Sequence, residues 1–513
     1  GVSCEKSLAP EHPLLKVTRL GKVGKQRKVF NFTGLSHKVD YRVYQNNINA
    51  LEKAVKERVL FVKNDEGHFV ELPPVTRNVF LSKIGNFEKE MKKRAHFATP
   101  MSGIAFAMSY QDRRRNVYLR VAERLKRYGF HPRYARIRAF TKLEKYRFDL
   151  KEPVPRLIQP RQPEFLGETG PYVKPVEHSI YKNTNSCFGY TIVYKGLNAQ
   201  QRGRNAYKAW KRFAHPVAFA LDAKRFDQHV TDAALQTDHN VHCHFYPGDK
   251  KIRRLFNYQR HNKCTATCPD GFVKYESFGN RCSGDSNTSS GNVIIMCALL
   301  YGFKESVNYQ IEFFNDGDDV IVIVNMENCL ETMTNIKSHM AEAGFDVQLD
   351  APVKVFEEIS FCQSQPVMTN DGTYMFVRDP RVAIAKDCVS LKPLDNEEVK
   401  MKWLQAVGKG GLSLTKGIPV YQSFYKMFIR EAKGRKALTD PTLEGGFFRL
   451  SKGMSLADEN ITSDTRLSFW KAFGILPEEQ ICLETYYDKY VIGVGQESHR
   501  FAHLPLYGRT HTA

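Results

Sequence analysis

The stretch that most constrains this chain is Ile311-Glu312-Phe313-Phe314-Asn315-Asp316-Gly317-Asp318-Asp319-Val320-Ile321-Val322-Ile323-Val324. β-Branched and aromatic residues on both arms suit a pleated, half-buried surface, and an Asp-Gly step is a common short hairpin connection. The pattern predicts a stiff hairpin with Asp318 and Asp319 at its tip, and Asp316 adds a third carboxylate there. Adjacent carboxylates on one hairpin repel each other unless a cation sits between them. All-oxygen ligands of this kind suit Mg²⁺, with Mn²⁺ as the alternative. An acidic turn without a ligand is also common, so the metal reading depends on whether further carboxylates join the set.

A second acidic site lies upstream. Val217-Ala218-Phe219-Ala220-Leu221 reads as a buried strand and runs straight into Asp222-Ala223-Lys224-Arg225-Phe226-Asp227. A carboxylate at the exit of a buried strand is costly unless it is paired or binds a metal, which makes Asp222 the candidate partner of Asp318. Asp227 is open to two roles, one in the site and one as a helix N-cap. Ser283-Gly284-Asp285-Ser286-Asn287-Thr288 then opens an apolar helix, on which Thr288 and Asn292 lie four residues apart and share a face. Short polar groups there, beside an acidic site, suit a sugar hydroxyl.

The formal net charge is +21 in 513 residues, which predicts a polyanionic partner. Between Gln111 and Arg147, thirteen cations face three carboxylates, about half of the whole excess. Arg113, Arg114, Arg115, Arg133 and Arg136 are among them, interleaved with Tyr118, Tyr128, Phe130, Tyr134 and Phe140. Such a run is either a solvated face or a single-stranded nucleic-acid channel, where bases stack and phosphates pair. The proline-rich stretch 153–163 holds Arg156 and Arg161 on a stiff arm, suited to clamping phosphate oxygens.

No run of eighteen apolar residues is present, so no membrane-spanning helix is expected. The eleven irregularly spaced cysteines argue for reduced thiols and an intracellular setting. His261, Cys264, Cys268 and Cys282, and likewise His239, His242 and His244, have poor spacing for zinc and read as ordinary helix or loop residues. The start at Gly1 rather than an initiator Met suggests a fragment, a processed chain or a readthrough extension.

The ordered set carries more than any member. Leu-Asp-Ala-Lys-Arg-Phe-Asp-Gln-His-Val (221–230), Ser-Gly-Asp-Ser-Asn-Thr-Ser-Ser-Gly-Asn (283–292), Gly-Asp-Asp (317–319) and Phe-Cys-Gln-Ser-Gln-Pro-Val (361–367) resemble motifs A, B, C and E of viral RNA-dependent RNA polymerases. Phe-Thr-Lys-Leu-Glu-Lys (140–145) with Pro-Arg-Leu-Ile-Gln-Pro-Arg (155–161) is similar to that family's basic F motif. The forms are most similar to replicases of positive-strand plant viruses of the tombusvirus and carmovirus kind. The resemblance runs from about residue 140 to 367.

It implies an α+β right-hand fold: an N-terminal region and fingers over 1–215, palm over 216–245 and 282–366, a fingers insertion over 246–281, and a mostly helical thumb over 367–513. It further implies that Asp222, Asp318 and Asp319 hold two Mg²⁺ ions for nucleotidyl transfer and release of pyrophosphate. Lys142, Lys145, Arg156 and Arg161 would neutralise the incoming triphosphate, and Lys354 would protonate the pyrophosphate. Asp227, Ser283, Thr288 and Asn292 would read the ribose 2′-hydroxyl. The expected partners are single-stranded RNA template, nascent RNA, NTPs, a viral auxiliary replication protein and host factors. The expected setting is the host-cell cytoplasm at membrane-associated replication complexes, through a missing N-terminal part or a partner. A reverse transcriptase, or a non-catalytic RNA-binding or capsid-type protein, are the competing readings.

Overall fold

A computed structural model describes residues 1–33, 35, 39–439, 454 and 459–496. The parts of the expected thumb at 440–453, 455–458 and 497–513 lie outside the described residues.

The two acidic stretches belong to one sheet. Strands β1 (Pro216–Ala223), β2 (Ile311–Asp316), β3 (Asp319–Asn325) and β4 (Val347–Leu349) are ordered β2-β3-β1-β4, and every neighbouring pair is antiparallel. Side chains alternate between the faces, as the two-residue period of a strand requires. Val217, Phe219, Leu221, Phe313, Val320 and Val322 enter one core, whereas Ala218, Phe314, Ile321 and Ile323 enter another. A sheet covered on both faces explains the near-continuous apolar runs in β1 and β3.

Helix α1 (Thr288–Ser306) lies in the first of these cores. Every residue from Ser290 to Leu300 is buried, so the helix is apolar around most of its circumference, as a central core helix must be. Near its end, a Cβ at Gly302 would lie 1.9 Å from the carbonyl oxygen of Lys83, so only glycine permits this approach of the Arg77–Ile84 helix.

A five-stranded sheet stands beside this unit, in the order Leu15–Arg19, Gly271–Phe278, His261–Cys268, Ile137–Thr141, Leu157–Ile158. It thus joins the 261–278 segment to the N-terminal part of the chain. His261, Cys264 and Cys268 sit on its third strand rather than in a helix or loop. At the C-terminal end, Trp403, Tyr421, Phe424, Phe428, Phe469 and Tyr487 form a third core together with Phe30 and Phe32. The Phe30–Thr33 strand pairs with Val389–Ser390 and Gly493–Gln496, so a piece of the N-terminal region is built into the C-terminal one. Sequence distance gives no hint of that exchange. Among the described residues, no helix is long and apolar enough to cross a membrane.

Candidate active site

The hairpin turn is made by two residues. Asp316 and Asp319 face each other as the last pair of β2 and β3, leaving Gly317 and Asp318 in the loop. Gly317 takes a φ of +66°, a value that suits the first loop position of a II′ turn and glycine above all. Asn315, fully buried, laces the turn: its side-chain amide donates to the carbonyls of Gly317 (2.8 Å) and Asp319 (3.0 Å), and its oxygen accepts from the Gly317 N–H (3.2 Å).

Register brings the second acidic stretch to the same place, because Asp222 on β1 lies directly opposite Asp319 on β3. Cross-strand partners project on the same side of a sheet, so their carboxylates share a face. Desolvation by the surrounding protein, and next the Asp318 charge, push Asp319 up to about 6. Asp318 is raised in the same direction, again chiefly by desolvation. Asp316 behaves oppositely. Desolvation works against its charge, but Lys195 (3.1 Å) and Arg202 (2.8 Å) outweigh it and hold the carboxyl below its ordinary range. This third carboxylate is therefore already neutralised by protein cations. The Cys362 thiol donates to Asp319 Oδ2 at 3.5 Å, from a residue with a φ of +51°.

Asp227 and Asn292 also meet: the Asn292 amide donates to Asp227 Oδ1 at 3.0 Å. Asp227 lies inside the short Phe226–His229 helix, whose N-cap is Arg225, so the capping alternative is not realised. Burial, reinforced by Asp318, pushes Asp227 up to about 6. Asn292 is held from behind, where its oxygen accepts from Arg281 Nε (3.0 Å) and Arg281 in turn pairs with Asp238 (2.6 Å) at full burial. The other two ribose candidates are tied to backbone. Ser283 Oγ accepts from the Gln159 N–H, and Thr288 Oγ1 donates to the Cys282 carbonyl.

The basic candidates divide. The charge of Arg156 is felt by both Asp227 and Asp318. Lys142 stands next to it, with Glu144 shared between them (3.2 and 3.5 Å). Arg161 has to be reassigned. Its guanidinium is buried and committed to Asp285 (2.6 Å), Asn262 and the Ala135 carbonyl, so it braces the fold and presents nothing to a triphosphate. Lys145 is turned away as well: it donates to the carbonyls of Lys386 and Val389, and burial lowers it to about 8. Lys354 is exposed and lies one residue beyond Val353, which bridges to Ala218. Ala218 is four residues down β1 from Asp222, about 13 Å at the rise of a strand, so this lysine is not brought to the carboxylates.

Arg113, Arg114 and Arg115 open the Asp112–Tyr128 helix; Arg114 stacks on Tyr110, Arg115 donates to the Tyr110 carbonyl, and Arg113 is exposed.

Arg58 and Arg225 were missed by sequence reasoning. Burial first, and then the charges of Arg225 and Arg156, lower Arg58 to about 10, which places the three guanidinium groups near one another. Arg58 donates to the Val154 carbonyl and Arg225 to that of Glu57, and Arg156 is the one whose charge is felt by Asp227 and Asp318. Arg225 directly follows Lys224 within the Asp222–Asp227 stretch, a signal that was available. Arg58, some 160 residues upstream, gave none.

With this geometry in view, comparison with known proteins is decisive. Residues 15–494 match the family model described as viral RNA dependent RNA polymerase. The chain belongs to the viral RNA-dependent RNA polymerase family. It is 36% identical to the RNA-directed RNA polymerase of tobacco necrosis virus (strain A) over 93% of this chain and 66% of that protein. For the oat chlorotic stunt virus polymerase the identity is 37%, over 96% and 68%. For that of maize chlorotic mottle virus it is 33%, over 95% and 50%. The chain thus spans half to about two thirds of the length of these polymerases. The family match includes both parts of the acidic cluster and Arg58, Arg156 and Arg225.

Proposed function

We propose that this chain is the catalytic part of an RNA-directed RNA polymerase that replicates a positive-strand viral RNA genome, joining NTPs on an RNA template with release of pyrophosphate. The observation that carries the reading is the pairing of Asp222 with Asp319 across two buried strands, next to Asp318 in the turn. In this reading the four-stranded sheet with α1 is the palm, the five-stranded sheet belongs to the fingers, and the C-terminal core belongs to a thumb of a right-hand arrangement.

The donor set fits Mg²⁺ or Mn²⁺. All three side chains offer oxygen, and Asp318 and Asp319, raised chiefly by desolvation and secondarily by neighbouring carboxylates, would be stabilised in their charged form by a divalent cation. Among the described residues no three ligating side chains already converge on a metal position, so binding would draw these carboxylates together. When bound, the ions supply Lewis acidity toward the attacking hydroxyl and the phosphates.

The chain's own residues do the rest. Arg58, Arg156 and Arg225, with Lys142, neutralise and orient the triphosphate, because guanidinium groups match phosphate oxygens two at a time. Asp227 and Asn292 accept and donate hydrogen bonds at the ribose, which favours a 2′-hydroxyl and argues against a reverse transcriptase. Asp316, bound to Lys195 and Arg202, anchors the turn. The partners are single-stranded template, nascent RNA and NTPs, joined by an auxiliary viral protein and host factors. The setting is the host cytoplasm at membrane-associated complexes, with attachment supplied by a partner or by sequence outside these 513 residues.

The test is nucleotide incorporation on a short RNA template with Mg²⁺, comparing the intact protein with Asp318→Ala. Incorporation abolished in the variant while RNA binding persists is expected. Equal incorporation by both proteins would remove Asp318 from the site. RNA binding without incorporation by either would favour the non-catalytic RNA-binding reading.

A further inference from the structure

A cleft of about 440 Å³ opens between the Pro132–Ala135 turn, the Lys250–Asn257 helix and the start of the His261–Cys268 strand. Its lining includes Arg133, Arg136, Arg254 and Lys263, together with the rings of Tyr258 and His261. The carboxylate of Glu276 stands outside the lining, 3.1 Å from His261 Nε2 and opposite Lys263 in the strand pair. All four cations are exposed, and none of them forms an ion pair among the described residues. The volume falls within the range of small-ligand sites. Asp222, Asp318 and Asp319 do not line it.

What the cleft binds is indicated by what leads out of it. Along the Ile137–Thr141 strand, burial alternates strictly, so that Arg138 and Phe140 face outward while Ile137, Ala139 and Thr141 face the core. Arg136 before the strand and Lys142 after it continue the row. The result is Arg136, Arg138, Phe140 and Lys142 at successive steps of about 6.6 Å, a spacing of the same order as that between phosphates of an extended polynucleotide. Phe140 keeps 48% of its surface exposed, leaving a ring face on which a base can stack. The row ends beside the acidic site, because the Lys142 N–H bonds the carbonyl of Arg156. Lys263 extends the start of the row sideways, since the parallel register sets Cys264 against Ile137 and Thr265 against Arg138. A free nucleotide would need the cleft alone. A continuous cationic and aromatic row about 20 Å long fits a strand.

We propose that the cleft seats one nucleotide of the single-stranded RNA template, which the Arg136–Lys142 row then guides toward the carboxylates. The phosphate is held by Arg133, Arg136, Arg254 and Lys263, and the base lies against Tyr258 or His261. This rests on the polymerase reading.

The experiment measures affinity of the full chain for primed RNA whose unpaired template overhang is either very short or about eight nucleotides, long enough to cover the row. The intact protein should bind the long overhang more tightly. Arg254→Ala/Lys263→Ala should lose most of that gain, raising the long-overhang Kd about tenfold, and should flatten the log affinity against log salt slope by about 1.4, two single-strand phosphate contacts. Arg254→Lys/Lys263→Arg should keep the gain, and an unchanged thermal melt would show that both variants fold. Equal affinity for the two overhangs in the intact protein, or equal long-overhang affinity in the Ala variant, overturns the cleft. So does ATP that saturates the cleft without competing with RNA. An overhang gain that is lost in the Ala variant upholds the cleft even where the protein incorporates nothing, a result that would count against the polymerase reading alone.

Discussion

Arg281→Met gives the sharpest energetic test of how the site is supported. Arg281 and Asp238 are both wholly buried, 2.6 Å apart, and Asp238 receives a further hydrogen bond from Asn287 (2.9 Å). Burial opposes the Asp238 charge, yet Arg281 and His242 hold the carboxyl well below its usual range. Removing the cation leaves a buried carboxylate without its main partner, a change that costs about 3–5 kcal/mol. One Arg281 donor, Nη1, has no hydrogen-bond partner, so the lower part of that range is expected. Adding Asp238→Asn removes the stranded charge and keeps an acceptor for Asn287. The double variant should therefore recover about 1–2 kcal/mol relative to Arg281→Met. Urea denaturation of the three proteins at neutral pH measures this directly. The same variants should lose discrimination between NTP and 2′-deoxy-NTP, because Asn292 no longer has Arg281 Nε behind it. A double variant no more stable than Arg281→Met would refute the coupling. Unchanged sugar discrimination would refute the relay to Asn292.

Other outcomes follow from the same geometry. Asn292→Ala should reduce preference for ribonucleotides by about tenfold, the value of one hydrogen bond, with little change in RNA affinity, as read from competing NTP and dNTP incorporation. Gly317→Ala should destabilise the hairpin by about 1–2 kcal/mol through its positive φ alone, since its Cβ would clear Lys195 Nζ at 3.6 Å; thermal melting measures it. His239 should make a destabilising contribution as the pH drops from about 6.5 toward 4, opposed by Asp227 and Asp319, which are raised to about 6 and take up protons in the folded chain first. Burial lowers His239 to about 4, so over that range the unfolded chain takes up a proton that the folded chain refuses. Urea denaturation at about pH 6.5 and about pH 4 should show His239→Gln gaining up to about 3 kcal/mol on the parent at the lower pH, with His229, His244 and His339 contributing equally to both proteins.

What could be read from the sequence was local. The β1 and β3 strands announce themselves by β-branched runs, and Asp222 and Asp318 by standing where such runs end. Their meeting is a matter of register, and a period of two fixes which face a residue takes but not which strand lies opposite. The ordered motifs supplied that link through resemblance. The residues misjudged show the same limit. Arg161 and Arg156 stand on one proline-rich arm and have the same charge, yet one is walled in by Asp285 and the other stays exposed with its charge felt at Asp318. Nothing in a five-residue spacing separates them. Lys145, similarly, is claimed by carbonyls more than two hundred residues away.

The acidic turn shows what such distant contacts do for chemistry. Asp316, Asp318 and Asp319 are near neighbours in sequence, and composition alone would treat them as three equal ligands. Lys195 and Arg202 separate them: Asp316 is drawn to low pKa and bound, while Asp318 and Asp319 are left raised. Asp318 and Asp319 form no direct ion pair among the described residues, although the charges of Lys195 and Arg156 reach Asp318. Facing a third carboxylate across a strand pair, they form a site whose affinity for a divalent ion depends on what Asp316 already holds. An Asp316→Asn change would release Lys195 and Arg202 toward Asp318 and Asp319, lowering both and weakening the hold on a metal. Titration of Mn²⁺ binding to Asp316→Asn should therefore show weaker affinity than the parent, and equal or tighter binding would refute the idea that Asp316 keeps Lys195 and Arg202 off the metal ligands.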